Sequence, residues 1–114
     1  MGFTAPERHS MLSIYQVILG LLEELQPVVR RVELKDRDLG RQLRRASCSI
    51  ALNVAEGMYS RGRNRAARYN TALGSMRESL ACAEIAQAFG YVGDLDAVLL
   101  DKIDRVIATL VKLS

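Results

Sequence analysis

Apolar side chains recur at intervals of three and four along nearly the whole chain, and no strand-like alternation interrupts them. The first run spans about residues 7–32, with Met11, Ile14, Tyr15, Ile18, Leu22, Leu25 and Val29 on one stripe. Leu12, Leu19, Leu21 and Val28 fall off it. Pro27 lacks an amide hydrogen and its ring crowds the preceding turn, so a kink or break is expected there. Residues 33–37 read as a polar connector. A second helix is predicted over about 37–57, capped by Asp36 or Asp38. Leu39, Leu43, Ala46, Ile50 and Val54 form its stripe, and Gly57 is placed to take the left-handed conformation that ends a helix. Residues 58–64 follow as a loop. The third helix covers about 65–89, with Tyr69, Leu73, Met76, Leu80, Ala83 and Ala86 or Gln87 on successive turns, and Gly90 stops it. Asp94 is expected to cap the fourth, over about 94–112, where Leu95, Val98, Leu99, Ile103, Val106, Ile107, Leu110 and Val111 face inward.

Four amphipathic helices with short links predict an all-α, antiparallel up-down-up-down four-helix bundle. The 114 residues fit one domain. Apolar residues make up 49% of them but aromatic ones only 5%, a balance that favours helix over strand. The stripes are wider than a single bundle needs, since Leu100 and Leu113 also stand off the fourth. Surplus apolar surface predicts association into a homo-oligomer.

Charge changes the picture more than composition does. The net charge is +3, but residues 39–77 hold eight arginines against Glu56 alone, a local +7. The flanks balance it at −1 for residues 1–38 and −3 for residues 78–114. Thirteen of the 16 basic residues are Arg, the side chain suited to bidentate contact with phosphate or carboxylate. Cys48 and Cys82 fall inside predicted helices, read as small buried hydrophobes, and match no zinc or redox spacing. No apolar run approaches the ~20 residues of a membrane span, and no secretory pattern opens the chain. The expectation is a soluble cytoplasmic protein.

The segment Gln42-Leu-Arg-Arg-Ala-Ser-Cys-Ser-Ile-Ala-Leu-Asn-Val-Ala-Glu-Gly57 resembles the signature of the four-helix-bundle 23S rRNA intervening-sequence proteins. Ala72-Leu-Gly-Ser-Met-Arg-Glu78 resembles that family's Ala-x-Gly-Ser-x-x-Glu element, and Gly90-Tyr91 follows at the family spacing. The resemblance implies a bacterial four-helix bundle assembled as a homopentamer. It also implies a distant relation to the accessory variability protein of diversity-generating retroelements, which partners a reverse transcriptase and binds nucleic acid. The chain departs from the family pattern at Arg68-Tyr69, where Phe-Leu is usual, and in its arginine-rich connector.

Arg45, Ser49 and Asn53 repeat at i, i+4, i+8, Glu56 follows Asn53 by one turn, and Ser75 and Glu78 are also one turn apart. These six residues read as a structural polar seam between helices or subunits, with Glu56 and Glu78 pairing to arginines. A metal site is not expected: di-metal bundles use Glu-x-x-His elements, and His9 is the single histidine. Arg61, Arg63, Arg65 and Arg68 lie at the start of the third helix, where cations oppose the macrodipole. They are either solvated and paired with neighbouring acids, in contact with a nucleic-acid backbone, or bound to an acidic protein. Arg41, Arg44 and Arg45 are read as extending the same surface, with a structural salt bridge as the alternative for Arg44 and Arg45. Tyr59 and Tyr69 are the aromatic residues near the loop. No nucleophile elbow or phosphate-binding Gly loop is present, and no cofactor is implied. The expected protein is non-enzymatic and associates with RNA or DNA backbones. The alternatives are an adaptor for a polymerase or another acidic protein, and an element-encoded protein without a dedicated ligand.

Overall fold

The computed structural model describes the backbone of residues 5–114 and the side chains from Ser13 onward; His9, Met11 and Leu12 therefore lie outside the described side chains. The described residues form four α-helices and no strand: α1 (Ala5–Lys35), α2 (Arg37–Met58), α3 (Gly62–Ala88) and α4 (Ala97–Leu113). The helices adjoin in chain order, and α4 returns to α1. At 1.5 Å per residue α1 is about 46 Å long and runs nearly the whole length of a body measuring 49 × 25 × 18 Å.

The apolar stripes become two clusters. One gathers Ile14, Ile18, Leu21 and Leu25 of α1 with Ile50 and Val54 of α2, Tyr69 and Met76 of α3, and Ile103, Val106 and Leu110 of α4. The other joins Val29 and Val32 to Leu39, Leu43, Cys82, Ala86 and Val92. Each fully buried Leu, Ile or Val contributes about 1.5–3 kcal/mol, so these clusters, not helix propensity, hold the elements together.

Several expectations are corrected. α1 is unbroken at Pro27 and continues to Lys35, so residues 33–35 are helical. Pro27 is tolerated because it and Glu23, whose carbonyl loses its helical donor, both face solvent. Asp36 alone links α1 to α2: its amide donates to the Val32 carbonyl at 2.7 Å, and its carboxylate accepts from Leu39 N at 3.0 Å. The two helices approach so closely that a Cβ on Gly40 would lie 2.7 Å from the Glu33 Cα. Leu21 is buried in the core, whereas Val98 and Val111 point outward. On α3 the buried position is Ser79; Leu80 is partly buried and Gln87 exposed. Gly57 does not adopt a left-handed conformation; Gly62 (φ 53°) and Gly90 (φ 76°) do. Gly90 ends α3 in a Schellman motif, with Tyr91 N bonded to Ala86 O and Gly90 N to Gln87 O. Asp96, not Asp94, caps α4 through Leu99 N. The reason is that Val92 is buried and Leu95 packs partly buried against the same cluster, so the connector is held on the core and α4 begins only at Ala97.

Candidate nucleic-acid interface

The α2–α3 turn is only Tyr59, Ser60 and Arg61. Its backbone is held at both ends. Tyr59 N donates to the Glu56 carbonyl at 3.1 Å, Ser60 N to Gly57 O at 3.2 Å, and Ser60 Oγ to Glu56 O at 2.9 Å. From the α3 side, Arg65 Nε donates to Ser60 O at 2.9 Å. Gly62 supplies the positive φ that lets α3 begin three residues earlier than its apolar pattern indicates. Arg61 occupies the N-cap with no side-chain cap, and no acid sits in the first turn, so α3 leaves its positive end uncompensated.

Four arginines meet here. Arg61, Arg63 and Arg68 are exposed and Arg65 is partly buried. Arg68 Nη1 pairs with Glu56 Oε2 at 2.9 Å across the turn. A polar cleft of 400 Å³ lined by Ser60, Asn64, Ala67, Arg68 and Thr71 runs beside them.

The structure does not bring the α2 arginines to this site. Arg44 lies fourteen residues before the end of α2, about 21 Å along the axis. It grips Glu33 of α1 in a bidentate pair, Nε to Oε2 at 2.9 Å and Nη2 to Oε1 at 2.7 Å. That hydrogen bond holds the Glu33 carboxyl below its ordinary pKa and raises the Arg44 guanidinium. Arg41 is exposed farther still from the turn.

The six seam residues divide into three groups. Ser49 Oγ and Ser75 Oγ are 2.8 Å apart across α2 and α3, and Asn53 Nδ2 donates to Ser49 O and Oγ at 2.9 and 3.0 Å. Glu56 belongs to the turn through Arg68. Arg45 and Glu78 line an open cleft with Gln42, Ala46, Ser49 and Ser75. Ser49, Asn53 and Ser75 are thus half-buried between α2 and α3, while Arg45, Glu56 and Glu78 are exposed.

Cys48 is exposed, contrary to expectation, while Cys82 is buried and its thiol pushed up by burial; neither forms a disulfide. Among the described residues no group of His, Cys, Asp or Glu is arranged to hold a metal ion, and no helix is long and apolar enough to cross a membrane. Sequence reasoning missed Gly40, whose closeness to Glu33 has no signature beyond a small residue near the start of a helix.

Fold and site together define a four-helix protein with a basic, ordered turn at one end and a polar groove along one side. The family model for 23S rRNA-intervening sequence proteins matches residues 10–112, and the chain belongs to that family. No curated protein and no solved structure matches it.

Proposed function

We infer that this protein is a non-enzymatic nucleic-acid-associated protein that binds RNA or DNA phosphates through Arg61, Arg63, Arg65 and Arg68, without reading base sequence. The carrying observation is charge. Between residues 39 and 77 the sole acid is Glu56, and Arg68 already holds it. Eight arginines share that span, a local +7. Phosphates docked there also meet the uncompensated N-terminus of α3. Arginine suits this task because its guanidinium offers two parallel donors to one phosphate.

The helices are read as an up-down-up-down bundle. In support, partners across α2 and α3 run in opposite chain directions, Ser49 with Ser75 and Glu56 with Arg68. The bundle is read further as the subunit of a homo-oligomer, a homopentamer by family resemblance. Val17, Leu52, Ile85, Val98 and Val111 are all exposed, and an open groove of 680 Å³ between α1 and α4 passes Val17 and Gly20. In a ring, each basic turn recurs around the axis and the fields add. A second reading, an adaptor for an acidic protein, rests on the outward-facing groove of Arg45, Ser49 and Ser75.

The test is binding of a labelled RNA and a labelled DNA duplex by wild type and by a variant with all four arginines changed to Gln, after both show the same native mass. Loss of binding in the variant supports the phosphate reading. Equal binding removes it, and competition between nucleic acid and an acidic protein then examines the adaptor.

A further inference from the structure

We propose that the nucleic acid taken by this turn is single-stranded, with one unpaired base stacked on Tyr59 while the arginines hold the flanking phosphates; this rests on the phosphate reading above. Tyr59 is 84% exposed although its backbone is among the best-held in the turn. Its amide donates to Glu56 O, and the next residue is tied to α2 by Ser60 N on Gly57 O and Ser60 Oγ on Glu56 O, and to α3 by the Arg65 guanidinium. An aromatic ring held out on an ordered backbone loses little freedom when a flat partner covers it. A base is the flat partner that brings negative charge on both sides, and the ring lies two residues from Arg61 and four from Arg63.

Stacking on aromatic side chains tolerates any base, because every base has a π face, but it requires a base that is not already paired and stacked. A duplex offers only its backbone to such a turn. This is the physical ground for preferring a single strand.

The other aromatic groups fit less well. Tyr69 is fully buried and presents no face. Phe89 and Tyr91 stack on each other, centroids 5.6 Å apart, and Phe89 is 69% exposed. That pair adjoins carboxylates, however: the Tyr91 hydroxyl lies 3.4 Å from Asp36, and Asp94 and Asp96 follow in the same connector. A phosphate chain is repelled there and attracted at Tyr59.

The experiment measures binding of a labelled oligothymidylate and of a hairpin duplex of equal length to wild type, Tyr59→Ser and Tyr59→Phe, across a salt series. Tyr59→Ser weakens the single strand about tenfold, leaves the duplex unchanged and keeps the salt slope, since no phosphate contact is lost. Tyr59→Phe keeps the affinity. The chain has no Trp, so tyrosine emission gives an independent signal: the single strand quenches wild type and leaves Tyr59→Phe unquenched. Single-strand binding by Tyr59→Ser equal to wild type overturns the stacking proposal and leaves the phosphate reading standing. So does an equal loss for strand and duplex. Failure of wild type to bind either probe at low salt overturns both.

Discussion

A Cβ built on Gly57 would lie 3.2 Å from both Cε1 and Cζ of Tyr69. The glycine that the sequence pattern marks as a helix stop is thus a helical residue that makes room for an aromatic ring. The Tyr69 ring lies in the core beside α2.

The Gly57–Tyr69 contact predicts a sign change. Replacing a glycine in helical conformation with alanine ordinarily stabilises, by up to about 1 kcal/mol. Here Gly57→Ala forces the ring to yield and lowers stability by about 1 kcal/mol in the wild type. In a Tyr69→Leu background the same change raises stability. Urea denaturation of the four proteins measures the coupling, and equal effects of Gly57→Ala in both backgrounds contradict the packing account.

The Tyr69 hydroxyl is buried with no hydrogen-bond partner among the described residues. Tyr69→Phe therefore removes an unsatisfied group and stabilises the fold by about 1 kcal/mol. Burial pushes this phenol above its ordinary value, and Arg65 pulls weakly the other way. The unfolded chain ionises near the ordinary value of 10.0, so the contribution is intact below that pH and is lost as pH rises through it towards the higher folded value. Thermal melts at neutral and alkaline pH show a smaller alkaline loss for Tyr69→Phe than for wild type; parallel losses argue against a buried neutral phenol.

Caps give a sharp contrast within three residues. Asp96→Ala removes the acceptor for Leu99 N and lowers stability by about 1 kcal/mol. Asp94→Ala removes only a 3.4 Å contact from Gln87 and stays within about 0.5 kcal/mol of wild type. Differential scanning calorimetry of the two variants separates them, and the reverse order returns the cap to Asp94.

Asp94 also shows where the sequence stops being legible. A carboxylate before an apolar run identifies a helix start, but Asp94 and Asp96 offer the same local signal. The choice is made by Val92, buried in a cluster of residues from α1, α2 and α3. Gly57 and Gly90 likewise look alike along the chain; one is required by the Tyr69 ring on the next helix, the other by backbone conformation. The stripe of α2 was readable because Leu39, Leu43, Ala46, Ile50 and Val54 keep helical spacing and all are buried. Leu21 was not readable, because α1 carries apolar residues around most of its circumference. For the site, the nearness of Arg61, Arg63, Arg65 and Arg68 follows from their spacing. The distance of Arg41 and Arg44 follows as well, since the predicted helix over 37–57 already carries Arg44 about 20 Å from its end; the expectation that they extend the same surface overlooked that length. The Arg44–Glu33 pair needed the close α1–α2 approach at Gly40, which only the fold reveals.

The most direct test of the account is the salt dependence of nucleic-acid binding. Fluorescence anisotropy of a short labelled RNA is followed from low to moderate salt with wild type and with Arg61, Arg63, Arg65 and Arg68 changed to Gln. The account predicts a wild-type affinity that falls steeply with salt, and a variant whose slope is shallower by about 0.7 for each phosphate contact removed from a single strand. Wild-type binding insensitive to salt, or a variant with unchanged affinity and slope, contradicts it.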